Sequence, residues 1–373
     1  MISEKYMRQA IKLAKKGEGF TAPNPMVGAV IVKDGRIIGQ GFHERYGEPH
    51  AERNALADCK SRGENPAGAD LYVTLTPCCH YGKTPPCTEA VIENNIANVI
   101  IGSRDPNPKV LDKSISILES AGIKVITDFM KEECDRINPV FFHYITKKTP
   151  YVIMKYAMTM DGKIATAEGY SKWITGETAR ERVHSDRNRY SAIMVGIGTV
   201  LADDPMLTCR IHGRKTKNPV RIICDTNLRT PLSAKVVTTA DSVKTILATA
   251  VSDKARHMPY LAAGCQILTV KQRPDRLLDL PALMKELGAL EIDSLILEGG
   301  GTLNWSALSA GVVNKVQAYI APKIFGGLSA KTPVSGTGVT FPKEAFFLKD
   351  PQITVLDGDV LIESEVKSCS QVL

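Results

Sequence analysis

The chain has 373 residues, of which 43% are hydrophobic and 23% charged, ordinary globular values that exclude a disordered, fibrous or disulfide-scaffold protein. The length implies two or three domains, because single cores rarely grow beyond roughly 250–300 residues. Lysine and arginine total 47 against 40 acidic residues, a net charge of +7 spread along the chain, which reads as a solvated surface with some attraction for anions such as phosphates. No apolar run approaches the ~20 residues that a bilayer requires, so no membrane contact is expected. The first residues mix acidic and basic side chains without an apolar stretch, so they are not read as a secretory signal. Among nine cysteines, Cys78, Cys79 and Cys87 cluster, which in an intracellular chain points to metal or catalysis rather than disulfides.

Residues 2–17 are predicted as an amphipathic helix: Ile2, Tyr6, Ala10, Leu13 and Ala14 recur at helical spacing, and Gly17 ends it. A turn-rich TAPNPMVG stretch leads into a hairpin, MVGAVIVKDGRIIGQGF, turned at Asp34-Gly35. PHAERNALADCK reads as a helix, LYVTLT as a strand, and residues 86–95 as a helix after a Pro/Cys/Gly loop. NVIIGSRDP (strand), SISILESAG (helix) and IKVIT (strand) complete a three-layer α/β pattern. The polar ITKKTP segment at 145–150 reads as a linker, giving domains 1–147 and 148–367. The second half restarts with the strand YVIMKYAMT and an Asp161-Gly162 turn, followed by the helix TGETARERVHSDRNRY. A strand with a LADD loop, the strands VRIICD, KTILATA and CQILTV, and the helix PALMKELGAL come next. SLILEGGGTLNWSALSAG is a strand, glycine turn and helix, and KVQAYIAPKIFGG a last strand; EVKSCSQVL reads as a frayed tail.

Chemistry concentrates first at His50-Ala51-Glu52, Cys78 and Cys87. One histidine and two thiolates supply three ligands of a tetrahedral zinc site and leave the fourth position to water. Helix N-termini favour the thiolate form. Glu52 is placed to take a proton from the water and hand it to a ring nitrogen and to leaving ammonia. Zinc nucleobase deaminases carry the signature H-x-E…P-C-x-x-C. Here the two cysteines lie nine positions apart, in PCCHYGKTPPC, so an extra loop separates the ligands.

That departure carries information. PC-x-HxGxTPPC, with Asn24-Pro25-Met26-Val27-Gly28 and His43 upstream, resembles the deaminase half of the bifunctional deaminase–reductase family of bacterial riboflavin biosynthesis. The family usually has Glu before Pro77, where this chain has Thr76; Cys79 stands where Ser is common and is not read as a ligand. Asn24, His43, His80 and Lys83 are then expected at the pyrimidine edge and the sugar phosphate. Each alone also fits an ordinary polar loop residue.

Glu298-Gly299-Gly300-Gly301-Thr302 follows an apolar strand and opens a helix, a place where backbone N–H groups bind anions. It is not G-x-G-x-x-G, so a Rossmann domain is not inferred. KYAMTMDGKIA, SKWITG, the run VGIGTVLADDPMLTCR and LEGGGTLNWS, in that order, resemble the reductase half of the same family, a dihydrofolate-reductase-like fold using NADPH. The resemblance spans nearly the whole chain. It places Ala157, Trp173, Thr199, Asp203, Thr226, Gly300, Gly301, Thr302, Leu303, Asn304, Trp305 and Ser306 at the cofactor. It places Ser171, Arg187, Leu207, Arg210 and Glu298 at the sugar-phosphate substrate, with Arg187 and Arg210 as forks for phosphate. Asp203, its neighbour Asp204, or Lys155 manages the proton that accompanies hydride delivery.

The expected fold is thus a cytidine-deaminase-like three-layer α/β/α domain followed by a dihydrofolate-reductase-like α/β domain. The expected protein is a cytoplasmic homo-oligomeric enzyme with one Zn²⁺ and NADPH. It would deaminate a diaminopyrimidinone bearing a phosphoribosylamino group, then reduce the ribosyl group to ribityl. A nucleic-acid deaminase of the tRNA-adenosine type explains H-x-E and the positive charge but neither the cysteine spacing nor the second-half motifs. A catalytically dead metal-binding scaffold does not explain Glu52.

Overall fold

The computed structural model describes all residues except 1, 108, 109, 111, 212, 214, 215 and 368–373. Its chain divides into two compact units, Met1–Lys148 and Thr149–Leu373.

The first unit runs α1 (Glu4–Ala14), β1 (Gly28–Lys33), β2 (Arg36–Phe42), α2 (Ala51–Ser61), β3 (Asp70–Leu75), α3 (Cys87–Glu93), β4 (Asn98–Ser103), α4 (Lys113–Ser120), β5 (Lys124–Ile126), α5 (Lys131–Asp135) and α6 (Pro139–Lys147). The sheet order is β2-β1-β3-β4-β5, with β1 antiparallel to both neighbours and β3, β4 and β5 parallel. Alternation along each strand makes two cores. Ala29, Ile31, Leu71, Val73, Val99 and Ile101 face Ala51 and Ala55 of α2 and Val91 of α3. Val30, Val32, Tyr72 and Ile100 face Tyr6, Met7, Ala10 and Leu13 of α1. This is the predicted three-layer sandwich. Helix α2 lies very close to β2: a Cβ on Gly41 would stand 2.4 Å from the Ala55 nitrogen and 2.7 Å from the Ala51 carbonyl oxygen.

The second unit runs β6 (Tyr151–Thr159), α7 (Glu177–Arg189), β7 (Ala192–Gly196), α8 (Ile197–Asp203), β8 (Val220–Cys224), α9 (Lys235–Thr238), β9 (Thr245–Thr249), α10 (Lys254–Ala262), β10 (Gln266–Thr269), α11 (Leu280–Ala289), β11 (Ser294–Leu297), α12 (Gly301–Ser309), β12 (Lys315–Ala321), β13 (Leu348–Leu356) and β14 (Asp359–Val366). Its nine strands lie in the order β10-β9-β8-β7-β11-β6-β12-β14-β13. The seven from β10 to β12 are parallel, and β14 and β13 add an antiparallel edge. Apolar clusters cover both faces, as a buried parallel sheet requires.

Several local readings are corrected. Residues 145–147, read as linker, complete α6, which ends at Lys148 in the left-handed region with φ 56°. The LADD segment is not loop throughout: Leu201 to Asp203 finish α8, and Asp204 caps it at φ 39°. Glu365 and Val366 of the supposed tail pair with β12 and β13, while residues 368–373 lie outside the described residues. Among the described residues, no helix is long and apolar enough to cross a membrane.

Candidate active sites

In the first unit β2, β3 and β4 point the same way, so the segments leaving their ends meet at one edge of the sheet. His50 arrives there as the N-cap of α2, Cys78 three residues after β3, and Cys87 as the first residue of α3. The His50 Nδ1 lies 3.4 Å from the Cys78 Sγ and 3.4 Å from the Cys87 Sγ. All three donor atoms fall within 4.8 Å of one another. Zinc with Zn–N and Zn–S bonds of usual length has an N···S tetrahedral edge of roughly 3.5 Å, so the spacing fits that ion. The Cys87 thiol and the His50 ring hold the Cys78 thiol down at about 4 against burial, so Cys78 ionises first of the pair.

Glu52 is buried in the first turn of α2, and that burial, with the Cys78 thiolate beside it, pushes its carboxyl up. A cavity of about 390 Å³ opens over the cluster, lined by Asn24, Tyr46, Gly47, His50, Cys78, His80, Gly82, Lys83 and Thr84. His80 lines this cavity, and its buried Nδ1 has no hydrogen-bond partner among the described residues.

His43 lies behind the cavity lining. It is buried against the His50 ring, centroids 5.1 Å apart. Its Nδ1 meets the Pro49 carbonyl at 3.2 Å and its Nε2 the Asn24 amide at 3.3 Å. A carbonyl only accepts, so Nδ1 carries the proton and Nε2 accepts from Asn24. His43 therefore orients Asn24 and packs behind a ligand. Asp105, missed in the sequence, is buried near Cys78 after β4, and burial lifts its carboxyl to about 6. Only the DPN turn hinted at it. Thr76 hydroxyl accepts from the Asp105 nitrogen at 3.2 Å, so the departure from the family's Glu serves the frame of that loop.

In the second unit the carboxyl ends of β6, β7, β8 and β11 share one edge, the usual ligand edge of a parallel sheet. Ala157, Thr199, Thr226 and the Gly299–Thr302 turn all sit there. Leu297 pairs with Met154, which brings Glu298 beside Lys155. The Glu298 carboxylate accepts from Arg187 Nε at 3.1 Å and Nη2 at 2.9 Å, and lies 3.8 Å from Lys155 Nζ. Burial pushes the Glu298 carboxyl up, but Arg187 and Lys155 outweigh it and hold it at about 2. Burial also pulls the Lys155 ammonium down, against Glu298.

Arg187 is therefore not an open fork for phosphate. Its fork is spent on Glu298 and its Nη1 on the Thr208 carbonyl at 3.2 Å, because a carboxylate this buried demands a countercharge. Arg210 is exposed and has no carboxylate partner among the described residues. Ser171 meets Asp203, Oγ to Oδ1 at 3.4 Å; Asp203 is exposed and Leu207 buried with φ 52°. Asp204 reaches Lys235 instead. Trp173 is 68% exposed, with Arg180 stacked 4.5 Å from its ring centre.

The glycine turn divides in role. A Cβ on Gly299 or Gly301 would strike Asn304 or Ser335, whereas Gly300 faces open space. Asn304 donates to the Gly299 and Pro333 carbonyls, Ser306 to the Thr302 carbonyl, and Trp305 packs on Phe346. Asn304 and Ser306 hold the turn, and its backbone is what remains for an anion. An open helix N-terminus at a carboxyl edge suits a dinucleotide phosphate, so the residues present fit the cofactor.

Comparison with known proteins agrees with this geometry. The family described as cytidine and deoxycytidylate deaminase zinc-binding region matches residues 1–103, and the RibD C-terminal domain family matches residues 150–362. Riboflavin biosynthesis protein RibD of Actinobacillus pleuropneumoniae is 52% identical over 363 residues, covering 97% of this chain and 95% of that protein. RibD of Aquifex aeolicus is 41% identical, covering 97% and 98%. A crystal structure from Thermotoga maritima, a diaminohydroxyphosphoribosylaminopyrimidine deaminase/5-amino-6-(5-phosphoribosylamino)uracil reductase, has TM-score 0.82 at 38% identity and covers 98% of each chain. RibD of Acinetobacter baumannii, form 1, has TM-score 0.86 at 34% identity, again covering 98% of each chain.

Fold and site together define a two-part enzyme, a zinc-type deaminase joined to an α/β reductase. The chain belongs to the RibD family of riboflavin biosynthesis proteins. It is a hydrolase in its first unit, with zinc, and an oxidoreductase in its second, with NADPH. Relatives matching across both units leave the nucleic-acid deaminase alternative unfavoured.

Proposed function

We propose that the first unit releases ammonia from a diaminopyrimidinone carrying a phosphoribosylamino group, and that the second reduces the ribosyl group of the product to ribityl. The observation that carries this reading is the His50–Cys78–Cys87 cluster with Glu52 buried beside it under the cavity.

His50, Cys78 and Cys87 would hold the zinc, whose Lewis acidity would make water nucleophilic at neutral pH. Glu52 takes one proton of the attacking water and delivers it to the ring nitrogen, then takes the second from the added hydroxyl and delivers it to the amine, which leaves as ammonia when the C–N bond breaks; burial supports the raised affinity for protons that this shuttle needs. Asn24, oriented by His43, and His80 read the pyrimidine edge, and Lys83 meets the phosphate. In the second unit the backbone of Gly300, Gly301, Thr302 and Leu303 would hold the NADPH phosphates, and Ala157, Trp173, Thr199, Asp203 and Thr226 would complete the cofactor site. Ser171, Leu207 and Arg210 hold the sugar phosphate. The opened ribosylamine is an imine that accepts hydride, and the buried Lys155–Glu298 pair supplies the accompanying proton.

The domains are read as 1–147 and 148–367. The thiols Cys59, Cys134, Cys209, Cys224 and Cys265 are free, which supports a cytoplasmic setting. The edge strand β13 exposes Ile353 and Val355, 68% and 70% accessible, which supports a homo-oligomer joined there. The test is a coupled assay on the diaminopyrimidinone phosphate that follows ammonia release and NADPH oxidation together. Ammonia without NADPH oxidation, or neither, would overturn the assignment.

A further inference from the structure

One wall of the deaminase cavity is built around Lys83. The loop between Cys78 and Cys87 is pinned on both flanks. Tyr81 hydroxyl donates to the Glu89 carboxylate at 2.9 Å, and Arg53 donates to the carbonyls of Pro85 and Pro86 at 3.2 and 2.9 Å. Between these anchors the Gly82 nitrogen donates to the Thr84 carbonyl at 3.3 Å, closing a turn that presents Lys83.

Lys83 meets a surface shaped for it. Its Nζ lies 4.1 Å from the centre of the Tyr46 ring. Gly47, beside it, has φ 88°, and a Cβ there would meet only Lys83, its Cδ at 3.3 Å. Tyr46 is itself fixed, its nitrogen donating to the Phe20 carbonyl at 3.1 Å. Both Tyr46 and Lys83 line the cavity. Among the described residues Lys83 has no carboxylate partner, and nearby Glu48 faces Arg45. An aromatic face attracts an ammonium without neutralising it. A carboxylate in its place would compete with an incoming phosphate; a ring does not.

We propose that Tyr46 is a positioning residue of the deaminase: with Gly47 it seats the Lys83 ammonium at the cavity wall, where it meets the phosphate of the substrate. This rests on the deaminase reading above. The seat lowers the freedom of a flexible side chain before the phosphate arrives and leaves its charge available.

The experiment uses the full chain as wild type, Tyr46→Phe and Tyr46→Ala. Ammonia release is titrated with the phosphorylated substrate and with its dephosphorylated riboside. Zinc content and reduction of the deaminated product are measured on the same preparations. Tyr46→Ala is expected to keep its zinc, its reductase activity and its kcat for deamination, and to raise KM for the phosphorylated substrate by roughly two- to fivefold. Tyr46→Phe is expected to restore that KM, and the riboside to show no difference between variants. An unchanged KM in Tyr46→Ala, an equal rise for the riboside, or no rescue by phenylalanine would overturn the proposal. Wild type that releases no ammonia at all would overturn the deaminase reading and this inference with it.

Discussion

A carboxylate as largely enclosed as Glu298, with 14% of its side chain exposed, is held in place by its countercharges. Arg187 gives it two hydrogen bonds, and Lys155 stands 3.8 Å away. Breaking a buried pair from one side leaves an uncompensated charge and costs about 3–5 kcal/mol. Arg187→Ala should therefore destabilise the second unit by about that amount in calorimetric melts; an unmoved transition would show that the pair is not buried in solution. The acid behaviour follows from the same group. Glu298 binds its proton more weakly in the folded state, at about 2, than the ~4.3 of an unfolded chain. Its stabilisation is complete above pH ~4.3 and is lost as pH falls through about 2. Denaturation free energy measured across that window should fall for the wild type, and more shallowly for Glu298→Gln. In the first unit, Glu52→Gln keeps the shape and removes the proton carrier. Deamination should drop by roughly 10²–10⁴-fold, while zinc content and reduction persist. Ammonia release at the wild-type rate would place the base elsewhere.

At the scale of elements, the position of the zinc ligands depends on how closely α2 lies on β2. Gly41 permits that approach, because any Cβ would enter the backbone of Ala51 and Ala55. Gly41→Ala should lift α2, carry His50 away from Cys78 and Cys87, and cost about 1–3 kcal/mol of stability. Denaturation together with bound-zinc measurement checks this; full zinc and unchanged stability would mean that the helix adjusts freely. The same scale shows where patterns were readable. The hairpin at Asp34-Gly35 and the helix starting at His50 carry strong local signals, a turn dipeptide and an amphipathic repeat. Helix α8 begins IGT directly after a strand, so its apolar residues prolong the strand pattern. The β13–β14 hairpin carries no such signal, because β13 is exposed along nearly its whole length and shows no buried-face alternation.

At the scale of the whole molecule, each sheet is made wholly of strands from one unit. The two chemistries should therefore separate cleanly. Zinc removal by a chelator should abolish ammonia release and leave reduction of pre-deaminated substrate intact, followed by NADPH absorbance. Loss of both activities would mean that the metal supports the second unit as well.

The linear chain by itself determined the chemistry. His50, Glu52, Cys78 and Cys87 are defined by residue type and short spacing, and the order of motifs along the chain defined two successive enzymes. Tertiary structure decided which side chains are free to act. It set His43 against Asn24, and it spent the Arg187 fork on Glu298, a residue 111 positions away. It also brought Asp105 near Cys78 and Lys83 onto Tyr46. Pattern and spacing report local propensity. Burial and long-range pairing set the cost of each charge, and they exist only once the sheets are assembled.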